Sequence, residues 1–202
     1  MARTKNQGAR RGQLLAAAER AVLRRGLDGV RLRDVAEEAG LTSGAVLYYY
    51  QALDDLLLET HNRAIERFCR LREEAVDRQD DPRDQLVVAV RGGLPTGPED
   101  ELVRLLYEFE GRALRDRAYG ALNAAYYERQ AGIYHSVLVV GEAAGVFRLT
   151  APARVVARNL VALEDGYGFY VVLGDSGIDA AAALRLILSY AETATGARLP
   201  VP

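Results

Sequence analysis

Apolar residues recur along most of this chain at intervals of three and four, the spacing that gathers them on one face of a helix. Leu14, Leu15, Ala18, Ala21 and Val22 form the first such stripe and predict a helix over residues 9–25, after a polar stretch through Gly8. Leu32, Val35, Ala36 and Ala39 mark a short second helix. Leu56, Leu57, Ala64, Ile65, Phe68, Leu71 and Ala75 keep one period over residues 53–78, which predicts a long helix. Residues 79–82 are a polar break, with Pro82 suited to the first turn of a helix that ends at Gly92 and Gly93. Residues 94–98 read as a loop by composition. Further helices are expected over 99–114, 116–145, 152–173 and 179–195, with a turn at Gly174-Asp175-Ser176-Gly177. No segment alternates as a strand does, and no repeat is present. The pattern predicts an all-α fold of about nine helices.

The most informative segment lies between the first and fourth stripes. Gly40 stands where a helix must stop in a left-handed conformation, which glycine adopts without a Cβ penalty. Leu41 then drops between the helices, and Thr42 or Ser43 can cap the next one. Two short helices joined by such a turn describe a helix-turn-helix, whose second helix enters a DNA major groove.

Gly44-Ala45-Val46-Leu47-Tyr48-Tyr49-Tyr50, followed without a gap by Ala52-Leu53-Asp54-Asp55-Leu56, resembles the N-terminal domain of the TetR transcriptional regulators. Arg25-Gly26-Leu27-Asp28-Gly29-Val30 and Val35-Ala36-Glu37-Glu38-Ala39-Gly40 fit that pattern as well. The resemblance implies a DNA-binding domain over residues 1–52 with three helices. Residues 53–202 would form a helical domain for effector binding and dimerisation. It implies DNA contacts from Thr42, Ser43, Gly44, Ala45, Tyr48 and Tyr49, with Tyr50 packing inward. Four positions depart from the family pattern. Ala52 replaces the Ser that caps the fourth helix, Leu53 the Lys that grips a phosphate, and Leu47 the first of the paired tyrosines. Arg31 stands in place of a capping Thr, so Arg31, Arg33 and the arm Arg3–Arg11 are expected to supply the missing positive charge.

The net charge of -2 argues mildly against a nucleic-acid binder, but its distribution reverses the argument. Residues 1–50 hold nine basic against five acidic side chains, a balance of +4, which leaves -6 for the remainder. A basic head on an acidic body suits a two-part DNA-binding regulator. Lys5 is the only lysine; the other 25 basic residues are arginine and keep their charge everywhere. Cys69 is alone, which excludes an intrachain disulfide. No signal peptide and no charge-free stretch of about 18 apolar residues is found, so a cytoplasmic location is expected.

The second half concentrates tyrosines and interior-looking charges, a composition that lines many small-molecule pockets. Tyr127 and Tyr134, seven apart, share a helix face. Tyr107 and Glu108 come from the preceding helix and Tyr167 from the following one, and these five are the expected effector contacts. Two stripes near the end, Val156-Leu160-Leu163-Tyr167-Tyr170 and Ala180-Leu184-Ile187-Leu188-Ala191, are more than a monomer needs. The resemblance implies a four-helix dimer interface there, with Leu163, Tyr170, Leu184 and Leu188 in it. His61, His135 and Cys69 make no metal-ligand pair at helical spacing, and no nucleophile–base pair is evident. No metal, cofactor or catalytic residue is expected. The reading is a homodimeric, ligand-responsive repressor of a two-fold operator. Its rivals are a relative that acts through protein contacts without DNA, and a small helical enzyme using Glu108 or His135 as base.

Overall fold

The computed structural model describes residues 2–174 and 177–200, with side chains from residue 7 onward. The side chains of Arg3 and Lys5, and the turn residues Asp175 and Ser176, lie outside the described residues. The described residues form nine helices and no strand: α1 (Ala2–Arg25), α2 (Leu32–Ala39), α3 (Ser43–Leu47), α4 (Leu53–Asp77), α5 (Pro82–Gly93), α6 (Glu101–Ala113), α7 (Arg117–Ala143), α8 (Ala153–Leu173) and α9 (Ala180–Thr195). The first helix starts at Ala2, seven residues before the expected start at residue 9. Residues 2–8 add no apolar position beyond Ala2, but they are mostly good helix formers and extend a helix already nucleated.

Two compact units are present: residues 1–66 with 101–123, and residues 67–100 with 124–202. Their boundaries fall inside α4 and α7. In the first unit α1 packs on α2 and α6, and α2 on α3. Its interior includes Leu14, Ala18, Val22, Val35, Val46 and Leu56, all fully or nearly fully buried. The stripe of α1 is thus the one that the sequence marked.

The second unit packs α5, α8 and α9 against one another. Leu86, Val90, Tyr134, Leu138, Leu160 and Ile187 lie in its core. The segment after α7 folds back: Gly145 takes φ 70°, and the Val146 and Phe147 N–H groups both donate to the Gly141 carbonyl, at 2.9 and 3.0 Å. Phe147 then covers Gly141, where a Cβ would overlap its ring. The same segment is tied to the end of α9, with Arg148 N–H donating to Thr195 O at 2.7 Å and Thr150 N–H to Ala194 O at 2.9 Å.

Candidate functional site

Two short helices and their turn present the candidate DNA-reading face. Gly40 takes φ 64°, ψ 36°, the left-handed geometry expected of it, and its N–H bonds back into α2. Thr42 caps α3, its Oγ1 accepting the Ala45 N–H at 3.3 Å. Val46 and Tyr50 are buried and anchor the inner side of α3. Tyr50 lies beneath the Arg11 guanidinium, 4.7 Å from its ring centre, as a packing residue. On the outer side Thr42 and Gly44 are exposed, Ser43, Ala45 and Tyr49 half-buried, and Tyr48 is 70% exposed. The Tyr48 and Tyr49 rings meet edge to face at 5.1 Å.

The arginines around this face divide into engaged and unengaged. Arg31 turns its guanidinium back on its own loop, donating to the Asp28 and Val30 carbonyls, each at 3.1 Å. Its backbone N–H is capped by Asp34 at 2.7 Å. Arg11 pairs with Glu59 at 2.6 Å, and Arg20 and Arg24 share Glu38. Arg33 is exposed on α2 and, among the described residues, makes no side-chain hydrogen bond or ion pair. The start of α4 is acidic. Ala52 lacks a capping hydroxyl, and Asp55 supplies the cap instead, accepting the Ala52 N–H at 3.1 Å. Asp54 is held by Arg112 and by the Tyr119 hydroxyl, which donates to it at 3.3 Å.

Further into the first unit, His61 stacks on Phe109 at 4.5 Å and near Tyr119 at 5.9 Å. It is 1% exposed, and its Nδ1 has no hydrogen-bond partner. Burial lowers its pKa to about 4. The same unit holds Glu108, whose carboxylate accepts the Leu27 N–H at 2.9 Å just beyond the end of α1.

The expected effector residues are therefore not gathered in one unit. Tyr107 and Glu108 belong to the first; Tyr127, Tyr134 and Tyr167 belong to the second. Tyr134 is fully buried, and Tyr127 and Tyr167 pack against the core that contains it. Tyr134 donates its hydroxyl to Glu164 in a short hydrogen bond. Glu164 also accepts from Arg72 at 2.7 Å, and Arg72 donates to the Ala89 carbonyl at 2.9 Å and to Gln130 at 3.1 Å. The Arg72 guanidinium lies 4.6 Å from the Tyr134 ring centre. Gly93 leaves room for the Glu164 carboxylate, which a Cβ there would overlap. One Glu164 oxygen is satisfied twice or more, while Oε2 is buried without a partner. Burial pushes the Glu164 pKa up to about 7, against the pull of Arg72 and Tyr134. Burial and the neighbouring Glu164 raise Tyr134 well above its ordinary value.

This buried network escaped sequence reading. Arg72 looks like any of the arginines on α4, and 92 residues separate it from Glu164. Only the apolar neighbours of Glu164 on α8 hinted that its position faces inward. Three open clefts lie in the second unit: about 530 Å³ beside Thr96 and Ile178, about 210 Å³ between Leu94 and Leu184, and about 480 Å³ beside Glu73 and Val140. None of the three is lined by Tyr127, Tyr134 or Tyr167.

Of the expected interface residues, Leu188 lies in the core of the second unit, and Leu163 and Leu184 are half-buried against it. Tyr170 is 47% exposed. Much of the two apolar stripes closes the unit's own interior. The large apolar residues left outside on α8 and α9 are Val155, Phe169, Tyr170, Leu173 and Leu186. Among the described residues no helix is long and apolar enough to cross a membrane.

Comparison with known proteins covers both parts of the chain. Residues 14–60 match the bacterial regulatory proteins of the tetR family, and residues 82–196 match the C-terminal region of BetI-type transcriptional repressors. The transcriptional regulator BetI of Burkholderia cenocepacia (strain HI2424) is 30% identical over 183 residues, 90% of this chain and 91% of that protein. PksA of Bacillus subtilis (strain 168), a helix-turn-helix regulator, is 25% identical over 185 residues, 91% of this chain and 89% of its own. A transcriptional regulator of Saccharomonospora viridis solved in complex with choline is 26% identical, with a TM-score of 0.82 over 90% of this chain and 95% of that one.

Proposed function

Because the chain belongs to the TetR family of bacterial transcriptional regulators, we propose that it is a ligand-responsive repressor that binds a two-fold operator as a homodimer. Residues 1–52 read the DNA, and residues 53–202 bind the effector and form the dimer. The protein acts in the cytoplasm and catalyses no reaction. One observation carries the DNA half of this reading. The left-handed Gly40 sets α3 across α2 with Thr42, Gly44 and Tyr48 uncovered. Ser43, Ala45 and Tyr49 adjoin them, and the exposed Arg33 adds charge from α2.

The effector half rests on the second unit. Its interior holds a carboxylate oxygen without a partner, in Glu164, and the ring of Tyr134, with Tyr127 and Tyr167 packed on the same core. The Tyr134 ring and the Glu164 carboxylate already hold one cation, the Arg72 guanidinium, and a small organic cation suits the same groups by displacing it. Choline, bound by the Saccharomonospora viridis regulator, is the first such molecule to try. A ligand of this kind acts only if it binds one arrangement of the dimer better than another.

Gel retardation with fragments from upstream of the protein's own gene tests both halves. With about 6 phosphates contacted per dimer, the log–log salt slope is about -5. Tyr49→Ala weakens binding by about 1.5 kcal/mol or more, the value of a hydrogen bond to a charged group. A slope near zero, or no retarded fragment, overturns the DNA reading. Choline or a related cation at millimolar concentration releases the retarded band. A complex indifferent to every cation tried overturns the cationic effector and leaves DNA binding standing.

A further inference from the structure

The outward face of α3 contains none of the side chains that read a base pair with charged or amide groups, and only the short hydroxyls of Thr42 and Ser43 at its start. Val46 and Tyr50 point inward. Helical geometry then turns Gly44 and Tyr48 directly outward, with Ala45 and Leu47 on either side. A Cβ added at Gly44 would meet nothing within 4 Å, so the backbone there lies bare. Leu47 is 44% exposed, a large apolar side chain at the end of a reading helix. Bidentate readout of guanine takes Arg or Lys, readout of adenine takes Asn or Gln, and readout of cytosine takes Asp or Glu. Residues 42–50 hold none of these six types. Arg33 and Gln51 flank the face without belonging to it. One feature of the major groove needs no polar partner, the C5-methyl group of thymine, and apolar side chains recognise it by contact.

We propose that Leu47, helped by Ala45, reads thymine methyl groups, so that each operator half-site is specified by thymine beneath Leu47 rather than by a guanine or adenine hydrogen-bond contact. The inference rests on the DNA-binding reading above. The bare Gly44 backbone lets the groove edge approach closely enough for these contacts. Tyr48 contributes a single hydroxyl, able to hold a phosphate or one base atom. Discrimination by methyl contact is modest for each base, so several thymines per site share the specificity.

The test removes only the methyl group. The full-length protein selects its operator from a pool of random duplexes, and each thymine of the selected site is replaced in turn by deoxyuridine. At one symmetry-related pair of positions deoxyuridine weakens binding about fourfold per half-site, the worth of one buried CH₂-sized group, and about fifteenfold when both are replaced. Leu47→Ala binds the thymine and deoxyuridine duplexes equally. A cytosine·guanine pair at that position loses binding, and 5-methylcytosine, which carries the methyl at the same place, recovers part of it. Equal binding after every thymine is replaced overturns the proposal, as does deoxyuridine sensitivity that persists in Leu47→Ala. The uridine series uses the unaltered protein, so its outcome does not depend on how the variant folds. Failure to select any duplex overturns the DNA-binding reading and this inference with it.

Discussion

At the residue scale, the most exposed weakness of the molecule is a base that must stay neutral. His61 lies between aromatic rings with an unpartnered Nδ1, and its folded-state pKa of about 4 is well below the ordinary 6.5. A histidine depressed in this way binds its proton more readily in the unfolded chain. Its stabilising share is therefore complete above pH 6.5 and is lost as pH falls from 6.5 towards 4. The full loss amounts to roughly 3 kcal/mol. Glu164 works in the opposite sense. Its carboxyl is raised from 4.5 to about 7, so its share is complete below pH 4.5 and declines as pH rises to about 7. The two overlap and partly cancel in the unaltered protein, and only a difference curve separates them. His61→Phe compared with the unaltered protein by urea unfolding at several pH values gives a constant difference above pH 6.5. Below it the variant gains steadily. A difference that stays flat down to pH 4 overturns the account. Neither residue announced this in the sequence. His61 read as an unpaired histidine because the rings that enclose it, Phe109 and Tyr119, are some fifty residues away. Glu108 was legible as a charge near tyrosines, but its partner is a backbone N–H at Leu27, 81 residues off, and no side-chain pattern encodes a main-chain donor.

Elements were far more legible than contacts, because periodicity marks which face is buried while saying nothing of what buries it. The stripes of α1 and α2 and the turn at Gly40 stand where the apolar spacing put them, whereas the last turns of α4 leave Leu71 outside and bury Arg72 and Val76 instead. The start of α1 does not, since residues 2–8 carry helix propensity but no apolar position beyond Ala2 to mark it. The cap of α4 was hidden for a related reason. Ala52 reads as a lost cap, yet Asp55 three residues on performs the reciprocal half of a capping box unaided. Helix α7 offers a test of how context decides the sign of one substitution. At Gly141 an added Cβ would overlap the Phe147 ring, which folds back on the helix. At Gly132, on the same helix, it would meet nothing within 4 Å. Gly132→Ala should stabilise by about 0.5–1 kcal/mol, the ordinary helical gain over glycine. Gly141→Ala should destabilise by about 1–3 kcal/mol through overpacking, and Phe147→Leu in the same chain should return part of the loss. Urea midpoints of the three variants decide it. Equal effects at the two glycines would mean that Phe147 does not rest on α7.

For the whole molecule the decisive question is what covers α8 and α9. Exposed apolar side chains are ordinary when scattered. Here Phe169, Tyr170 and Leu173 cluster on one helix, and Val155 and Leu186 add to them on the same helix and on the one packed against it. A patch of that kind marks an interaction surface. A two-fold operator requires two reading heads related by the same symmetry, which an isologous contact provides. A stable dimer through this face should bury roughly 2,000 Å² or more in total. The choice of variant matters, because much of the apolar character of these helices already serves the subunit's own interior. Leu188→Glu would put a charge in the core and unfold the second unit, so a monomer obtained that way carries no information. Leu186 is 46% exposed and Phe169 51%, so glutamate at either position leaves the subunit interior undisturbed. Leu186→Glu or Phe169→Glu should give a folded monomer by light scattering, with the helical circular dichroism of the unaltered protein. Its affinity for the two-fold operator should fall by a factor of a hundred or more, on the order of the avidity that linkage of two heads supplies. Retention of a dimer in both variants places the interface elsewhere. An unaltered protein that is monomeric at micromolar concentration removes the need for one, and with it the two-fold operator.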